Sequence, residues 1–392
     1  MSAHMIKNKN RPLQDLTRVP AFSGALLVFF AALGFLVENS GLRTSAHSIL
    51  HMTILWLTVH QWINDGLMAI FFFLVGLELK RELLEGAISK FSDAILPSIA
   101  ALGGMIGPAI IYLLLTHDSP ELSRGWAISS ATDIAFALGV LGVVGSKLPS
   151  SLKIFLITLA VLDDLGAVLI IALFYTATIE WNAVLASLAV MGILYFFNRH
   201  NISSRLAFVI LGSLLWFFVF RSGIHSTVAG VLTAFFYPLR SEKREVLHEW
   251  ESSLQPYVVL IILPLFALTN AGVDFSGITF SSVINKLSIG IACGLFFGKQ
   301  IGIFGLAFIA VRLGIGRKPL GSTWLQMYGV SILAGIGFTM SLFIAGLAFS
   351  DVGTQNATRV GVLLGTLASA LFGSLVLLLA TSRATPNGHR KV

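Results

Sequence analysis

The segment from Ile154 to Tyr175 most constrains how this chain can fold. It has 22 residues, is apolar almost throughout, and carries two adjacent aspartates, Asp163 and Asp164, near its centre. A helix of about 20 apolar residues spans the roughly 30 Å hydrocarbon core of a membrane, and each carboxylate at its centre costs about 3 kcal/mol. Acids at a helix end are tolerated, but both ends lie at least nine residues away. We therefore expect the pair to face a water-accessible cavity, a partner charge or an ion.

The composition agrees with a membrane protein. Hydrophobic residues make up 56% of the 392 residues and charged residues only 11%, with a mean hydropathy of +0.86. These values exclude a soluble globular domain and predict a polytopic membrane protein. The single cysteine, Cys293, lies in an apolar run, which excludes a disulfide framework and a cysteine-based metal site.

Apolar segments recur along the whole chain. After a basic N-terminal segment, the run Ala21 to Val37 is interpreted as a retained first span rather than a signal peptide. Further apolar segments centre near residues 71, 104, 136, 164, 190, 213, 232, 262, 300, 338 and 370. The sequence therefore predicts an all-α polytopic membrane protein with about 12 transmembrane helices. We expect a single integral membrane domain over residues 1–392, with residues 1–20 and 384–392 as cytoplasmic ends.

The basic residues are distributed unevenly between the predicted connections. Twelve spans place both termini on one side, and that side holds twenty Lys and Arg residues against five on the other. Because basic residues concentrate in cytoplasmic connections, both termini are predicted to be cytoplasmic. The net charge of +7 is then a consequence of topology and does not indicate nucleic-acid binding.

One further basic residue, Lys299, lies inside a predicted span. It is about ten residues from each end of the apolar run Ile289 to Val311, too far from the interface for its side chain to reach it. Its natural partner is a carboxylate inside the membrane.

Two predicted spans are interrupted by residues that disfavour a helix. In the fourth span, Ala127 to Val144, polar and small residues surround Asp133. In the eleventh, Gly335, Gly337 and Thr339 weaken the helix. Glycines alone also serve close helix packing, but a pair of interrupted segments in corresponding halves points to the central site of a transporter.

Broken helices place half-helix ends in the middle of a membrane. Their N-termini carry partial positive charge and their C-termini partial negative charge. Asp133 can offset facing N-termini, and Lys299 can offset facing C-termini. The carbonyl and carboxylate oxygens left in such a crossing suit a small alkali cation rather than a transition metal.

Seven strings spread over nearly the whole chain carry a resemblance to a known family. They are Trp62–Leu83, Ala131–Leu141, Leu159–Val168, Ser222–Leu232, Leu263–Val273, Gly294–Phe304 and Leu333–Phe349. These strings are similar to those of bacterial sodium/proton antiporters of the NhaA family, which are inverted-repeat transporters. The resemblance implies a fold in which interrupted spans 4 and 11 cross at the membrane middle.

The resemblance also implies roles for individual residues. Asp163 and Asp164 would bind protons and Na+, and Lys299 would be their basic partner. Thr132 and Asp133, at the crossing of the interrupted spans, would belong to the same ion- and proton-binding group, and Gly335 and Gly337 would form the crossing backbone. The implied substrates are Na+, Li+ and H+, with no resident cofactor.

The family further implies pH-sensing residues. The candidates are Glu78, Arg81, Glu82 and Glu85 at the end of the second span, Glu249 and Glu251 at the start of the ninth, and His225. The acidic and basic residues could instead be a solvated helix end with ordinary ion pairs. His225 could likewise be a polar interfacial residue rather than a switch.

The chain departs from the family pattern at two places. Ser252 follows Glu251 where the family has a histidine, which weakens the transfer of a detailed sensor mechanism. The connection from His47 to His60 is short and has no Gly or Asn turn at its centre, whereas the family uses a longer β-hairpin there for dimer contact. The expected partners are membrane lipid and a second copy in a homodimer, with no nucleic acid and no other protein.

The sequence argues against several other functions of membrane proteins. An intramembrane aspartyl protease would carry a GxGD pattern, which this chain lacks. A prenyltransferase would show spaced acidic motifs that bind magnesium diphosphate, whereas Asp163 and Asp164 are adjacent. A cation channel would present a symmetric filter from a repeated unit. The nearest rival is a transporter of the same fold for another solute, such as an organic anion coupled to sodium, which would need a roomier cavity.

The mechanism that follows is competition for shared ligands. The adjacent aspartates titrate as a coupled set, so sodium and protons compete for the same oxygens as the site opens alternately to each side. Two carboxylates can carry two protons inward against one sodium outward, which predicts electrogenic, pH-regulated transport with about 2 H+ per Na+. Alternatively, Asp163 stays paired with Lys299, which supplies the second proton. Potassium is expected to be too large, and the expected location is the bacterial inner membrane.

Overall fold

The computed structural model of the protein describes residues 20–86, 89, 91–145, 148–176, 178–241, 244–275 and 284–382. Apart from Pro20, the two predicted cytoplasmic ends lie outside the described residues. Helices in chain order are α1 (Pro20–Glu38), α2 (Arg43–His51), α3 (Val59–Leu84), α4 (Phe91–Thr116), a 3-10 segment (Pro120–Ser130), α5 (Ile134–Val144), α6 (Ser150–Phe174), α7 (Trp181–Arg199), α8 (Arg205–Ser222), α9 (Val228–Phe236), α10 (Val246–Asn270), α11 (Lys286–Arg312), α12 (Trp324–Leu333), α13 (Phe338–Ala348) and α14 (Val352–Ser382).

The described residues include nine helices that are long and apolar enough to cross a membrane. Two further helix pairs pass the same test together, although each pair is bent at a short break, which gives up to eleven spans. The all-α polytopic membrane fold is thus confirmed. The segment near residue 232 corresponds to α9, which has only nine residues and a length of about 13 Å. The count of twelve spans stays a prediction.

A short β-hairpin connects α2 to α3. Strand β1 (Thr53–Ile54) pairs antiparallel with β2 (Leu57–Thr58), and Trp62 Nε1 donates a hydrogen bond to Ile54 O at 3.0 Å. Leu55 adopts a positive φ of 59° at the turn, a conformation that usually selects Gly or Asn. The connection therefore forms a hairpin although it lacks both residue types at the turn.

Helix α6 joins two buried apolar clusters. Leu152 and Leu159, near its start, belong to a cluster with residues of α5, α11 and α12. Val168 and Ile171, near its end, belong to a second cluster with residues of α3, α10 and α13. The two adjacent aspartates of α6 come between these clusters, so the surrounding packing fixes their place in the molecule.

Helix α11 is locally widened around Lys299. It has π-helical stretches at Gly294–Gly298 and Gln300–Phe304, and such stretches are frequent at functional sites. Its backbone lies very close to α4, since a Cβ atom on Gly107 would come within 2.6 Å of Gly298 O. The two helices therefore touch backbone to backbone one residue before Lys299.

Candidate ion-binding site

The 3-10 segment and α5 are separated by a short break, which lies where the fourth span is predicted to be interrupted. The two pieces are bent by 47°, and residues 131–133 between them have no helical structure. Asp133 is the N-cap of α5, since its Oδ1 accepts a hydrogen bond from Phe136 N at 2.9 Å. Aspartate is a preferred residue at this position because its carboxylate satisfies a free N–H of the first turn.

The second break separates α12 from α13, which are bent by 44°. The two breaks contact each other directly. Thr132 Oγ1 donates to Ala334 O at 2.8 Å, and Asp133 N donates to Ile336 O at 2.7 Å. The breaks of the two spans are therefore joined by hydrogen bonds to backbone carbonyl groups.

Asp133 accepts hydrogen bonds from the N-terminal turns of two helices, α5 and α13. Its Oδ2 accepts hydrogen bonds from the backbone N–H of Thr339 at 3.1 Å and from the hydroxyl of the same residue. Thr339 is the second residue of α13. The carboxylate is 2% exposed, and it lies where two partially positive helix ends meet, an environment that stabilises negative charge.

Lys299 reaches the first break and α6 simultaneously. Its Nζ donates to Ser130 O at 2.5 Å, to Thr132 Oγ1 at 2.9 Å and to Asp163 Oδ2 at 2.7 Å. Ser130 is the last residue of the 3-10 segment, so the ammonium lies at a helix end that carries partial negative charge. All three hydrogens of the ammonium group thus have acceptors.

The two aspartates of α6 differ in their partners. Asp163 is paired with Lys299 through Oδ2, but its buried Oδ1 has no hydrogen-bond partner among the described residues. Asp164 is 2% exposed and makes no hydrogen bond or ion pair with any other part of the chain that the structure describes. Three carboxylate oxygens thus remain free to take up a proton or a cation.

The two predicted glycines of the second break occupy crowded positions. A Cβ atom on Gly335 would collide with Leu295 O of α11, and one on Gly337 would lie 3.1 Å from Ala131 O. Side chains at these positions would separate the breaks from each other and from α11. Their small size is therefore required by close approach.

Most of the candidate pH-sensing residues meet at the C-terminal end of α3. Arg81 pairs with Glu82 and with Glu251 of α10, both at 2.9 Å. Nearby, Glu85 pairs with Arg240, Glu249 pairs with Arg244, and Glu78 lies half-buried one turn before Arg81. The structure brings Glu78, Arg81, Glu82 and Glu251 together, whereas Glu85 and Glu249 form separate ion pairs. The role of all six residues in sensing pH stays a prediction.

His225 lies apart from that group, between α8 and α9. Its Nε2 is 3.6 Å from Asp65 Oδ1, and Asp65 is 16 residues before Arg81 on α3, or about 24 Å along the helix. His225 Nδ1 is 2.8 Å from Thr227 Oγ1. Burial lowers the pKa of His225 to about 4, so the imidazole is neutral near pH 7.

Asp65 is a site residue that none of the sequence patterns above predicted. This residue lies in the π-helical first turns of α3, where its carboxylate accepts a hydrogen bond from Ser226 Oγ at 3.0 Å. The available signal was the same one that identified Asp133, namely an acid inside an apolar segment.

Within the described ranges, no group of three or more His, Cys, Asp or Glu side chains is arranged to hold a metal ion. A sodium ion at Asp163 and Asp164 would complete its shell with hydroxyl oxygens, carbonyl oxygens or water. Such oxygen donors are the ligands that hard cations prefer.

Comparisons with known proteins identify the family. The family model described as Na+/H+ antiporter 1 matches residues 14–377. The chain is 48% identical over 377 residues to a Na+/H+ antiporter NhaA of Caulobacter vibrioides, covering 95% of this chain and 91% of that protein. It is 45% identical to a Vibrio campbellii protein of the same name, covering 94% of this chain and 95% of that protein. The chain therefore belongs to the Na+/H+ antiporter 1 family, whose members are secondary transporters and not enzymes.

Proposed function

We propose that this chain exports Na+ or Li+ from the cytoplasm in exchange for protons. The observation that carries the proposal is the buried Lys299–Asp163 pair, in which Asp163 Oδ1 has no hydrogen-bond partner in the described residues and beside which the Asp164 carboxylate is buried as well. The names of the relatives, which are Na+/H+ antiporters, support the same function.

Competition between the two ions accounts for exchange. A sodium ion and a proton both bind the free oxygens of Asp163 and Asp164, so each ion displaces the other. The site holds one or the other as it opens in turn to the two sides of the membrane. The inward proton gradient then drives sodium outward without any chemical change in the protein.

The half-helices on either side of the two breaks are the segments that move in this mechanism. In the proposed architecture, twelve spans form two inverted halves, and the breaks at residues 131–133 and 334–337 cross at the membrane middle. The hydrogen bonds between these breaks support this arrangement. A small displacement of the half-helices would open the carboxylates to one side while closing the other.

Transport is proposed to be electrogenic, with about two protons moving inward for each sodium ion moving outward. In one account, both aspartates carry a proton. In the other, Asp163 stays paired with Lys299, whose ammonium group supplies the second proton when it deprotonates. The observed ion pair is the arrangement that the second account assumes. Both accounts move one net positive charge per cycle.

Regulation by pH is proposed to involve the charged group at the end of α3. Arg81 there links α3 to α10 through Glu251, so protonation of the acids would loosen a contact between two helices near the cytoplasmic mouth. His225, beside Asp65, is a separate candidate on the opposite side of the membrane.

The chain is a multi-pass membrane protein, and we place it in the bacterial inner membrane with both termini in the cytoplasm. The distribution of Lys and Arg between the connections supports this orientation. The hairpin of β1 and β2 is the candidate contact for a homodimer, since Leu55 and Trp56 at its turn are 76% and 52% exposed.

Proton release by purified protein tests the proposal. Wild-type protein in weakly buffered detergent solution receives NaCl, LiCl or KCl, and a pH indicator reports released protons. Sodium and lithium should each release protons, potassium should not, and an Asp163→Asn/Asp164→Asn variant should release none. A wild-type protein that binds sodium without releasing protons would instead favour the rival transporter that couples sodium to another solute.

A further inference from the structure

The last helix, α14, contacts the break between α12 and α13. Phe338 is the first residue of α13, and a first-turn N–H has no partner within its own helix. The hydroxyl of Thr366 on α14 accepts a hydrogen bond from Phe338 N at 3.2 Å. The next N–H, that of Thr339, donates to Asp133. The start of α13 is therefore held by a neutral hydroxyl and a carboxylate together.

A second hydroxyl of α14 lies against the same break without a bond. Ser369, one turn beyond Thr366, is fully buried, and its Oγ has no hydrogen-bond partner in the described part of the chain. A Cβ atom on Gly335 would collide with this oxygen, so the hydroxyl touches the break directly. A buried hydroxyl without a partner carries a free-energy cost and is uncommon in native proteins.

The same point also meets the helix that carries Lys299. Leu295 O of α11 lies against Gly335 as closely as Ser369 Oγ does, and Leu295 is one helical turn before Lys299. The second break, α11 and α14 thus meet at one glycine. Any displacement of the break relative to α11 must change the surroundings of Ser369.

We propose that Thr366 and Ser369 are positioning residues for ion exchange. In the described arrangement, Thr366 accepts the hydrogen bond from Phe338 N at the start of α13. Asp133 is then free to accept the one from Thr339 N. The Ser369 hydroxyl has no hydrogen-bond partner in this arrangement among the described residues. It forms a hydrogen bond with a backbone group of the break when the site opens to the other side. This inference rests on the antiport proposed above, because Ser369 gains a partner only if the site alternates between two arrangements during transport.

The physical reason is the cost of breaking a helix in a membrane. Lipid tails offer no hydrogen-bonding groups to the backbone at the break. Each arrangement of the break therefore needs hydrogen-bond partners from neighbouring parts of the same chain. Two hydroxyls one turn apart on a neighbouring helix supply such partners. Thr366 then stabilises the described state, to which the site must return in every transport cycle, so its loss slows the return. Ser369 contributes to the rate of leaving that state.

Thr366 is tested by removing its hydroxyl at nearly constant size. Thr366→Val should lower the melting temperature in detergent and reduce the maximal rate of sodium-driven proton transport in proteoliposomes, and Thr366→Ser should restore both. The matched control is Thr358→Val, because Thr358 is equally buried on α14 but its hydroxyl bonds Gln355 O of its own helix. A Thr366→Val variant that behaves like Thr358→Val in both measurements would overturn the role of Thr366.

Ser369→Ala gives a result that a structural role would not produce. The melting temperature should not fall, since no bond is lost in the described state, while the maximal rate should fall about tenfold. The apparent KM for sodium should stay unchanged because the ligands are intact. The control is Ser331→Ala on α12, whose hydroxyl bonds Met327 O within its helix.

Two outcomes would overturn the role of Ser369. One is a wild-type maximal rate in Ser369→Ala, and the other is a loss of melting temperature as large as that of Thr366→Val. Wild-type protein is measured in the same vesicles. If it exchanges no sodium for protons, the proposed function fails, whereas an active wild type with an unaffected Ser369→Ala variant contradicts only this inference.

Discussion

Nζ of Lys299 lies 2.7 Å from Oδ2 of Asp163, and the two side chains are 0% and 1% exposed. This pair joins α11 to α6. A buried ion pair is weak evidence for net stability, but removing one partner is costly because a charge is left alone in a medium of low dielectric. Removing either the lysine of α11 or the aspartate of α6 would therefore leave the other residue as a buried charge without its ion-pair partner.

Lys299→Ala is expected to destabilise the protein by about 3–5 kcal/mol because it isolates the Asp163 carboxylate. Adding Asp163→Asn to this variant should recover part of the loss, since the isolated charge is removed. Thermal unfolding in detergent measures both. Lys286→Ala is the control, because Lys286 pairs with Asp118 at an exposed site, where solvent screens the ion pair and its loss should change the stability little. Equal stability of wild type and Lys299→Ala would show that the pair does not form.

Asp133→Ala is expected to cost about 2 kcal/mol or more, because it removes an N-cap and the acceptor for Thr339 N. Asp133→Asn keeps an acceptor oxygen and should retain more of the stability than Asp133→Ala does. Sodium transport should fall in both variants, since the charge that offsets two helix ends is lost. If Asp133→Ala unfolds at the wild-type temperature, the carboxylate does not hold the two breaks together.

Acid should destabilise the protein through His225. The unfolded chain takes up a proton at this residue near pH 6.5, and the folded protein does so only near pH 4. The contribution is therefore complete above pH 6.5 and is lost as the pH falls from 6.5 towards 4. The loss should be up to about 3 kcal/mol, reduced by the neighbouring Asp65. His225→Gln should flatten the melting temperature over this range, while replacement of the exposed His117 by Gln should leave the slope unchanged.

Sodium efflux should respond to membrane potential. If one net positive charge moves inward per cycle, an inside-negative potential contributes about 2.3 kcal/mol per 100 mV. Proteoliposomes with potassium and valinomycin set the potential, and efflux should be faster at inside-negative potential than at zero. Equal rates at the two potentials would exclude the exchange of two protons for one sodium ion.

The main residues of the site could be predicted because charges inside apolar segments are conspicuous. Asp163, Asp164 and Lys299 each stand out in a sequence that is otherwise apolar around them, and Asp133 stands out as an acid among the small and polar residues that interrupt an apolar span. Burying a charge without a partner is costly. The same rule applied to Asp65 would have identified it as a residue in need of a partner such as His225.

Other features depend on packing that sequence patterns do not report. The α9 helix covers only nine residues, although the apolar segment centred near residue 232 was predicted to span the membrane. The hairpin turn at Leu55 forms without Gly or Asn. Likewise, Thr366 and Ser369 are ordinary polar residues of α14 in the sequence, and their relation to the break became visible only in three dimensions.

The most direct test of the central claim is sodium-driven proton movement in proteoliposomes that contain either wild-type protein or Asp164→Asn. In wild-type vesicles, a sodium gradient directed outward should acidify the lumen, with lithium replacing sodium and potassium inactive. The Asp164→Asn variant should be inserted and folded yet drive no proton movement, because the substitution removes a ligand and a proton carrier while keeping the size of the side chain. Near-normal exchange by that variant would contradict the assignment of the site.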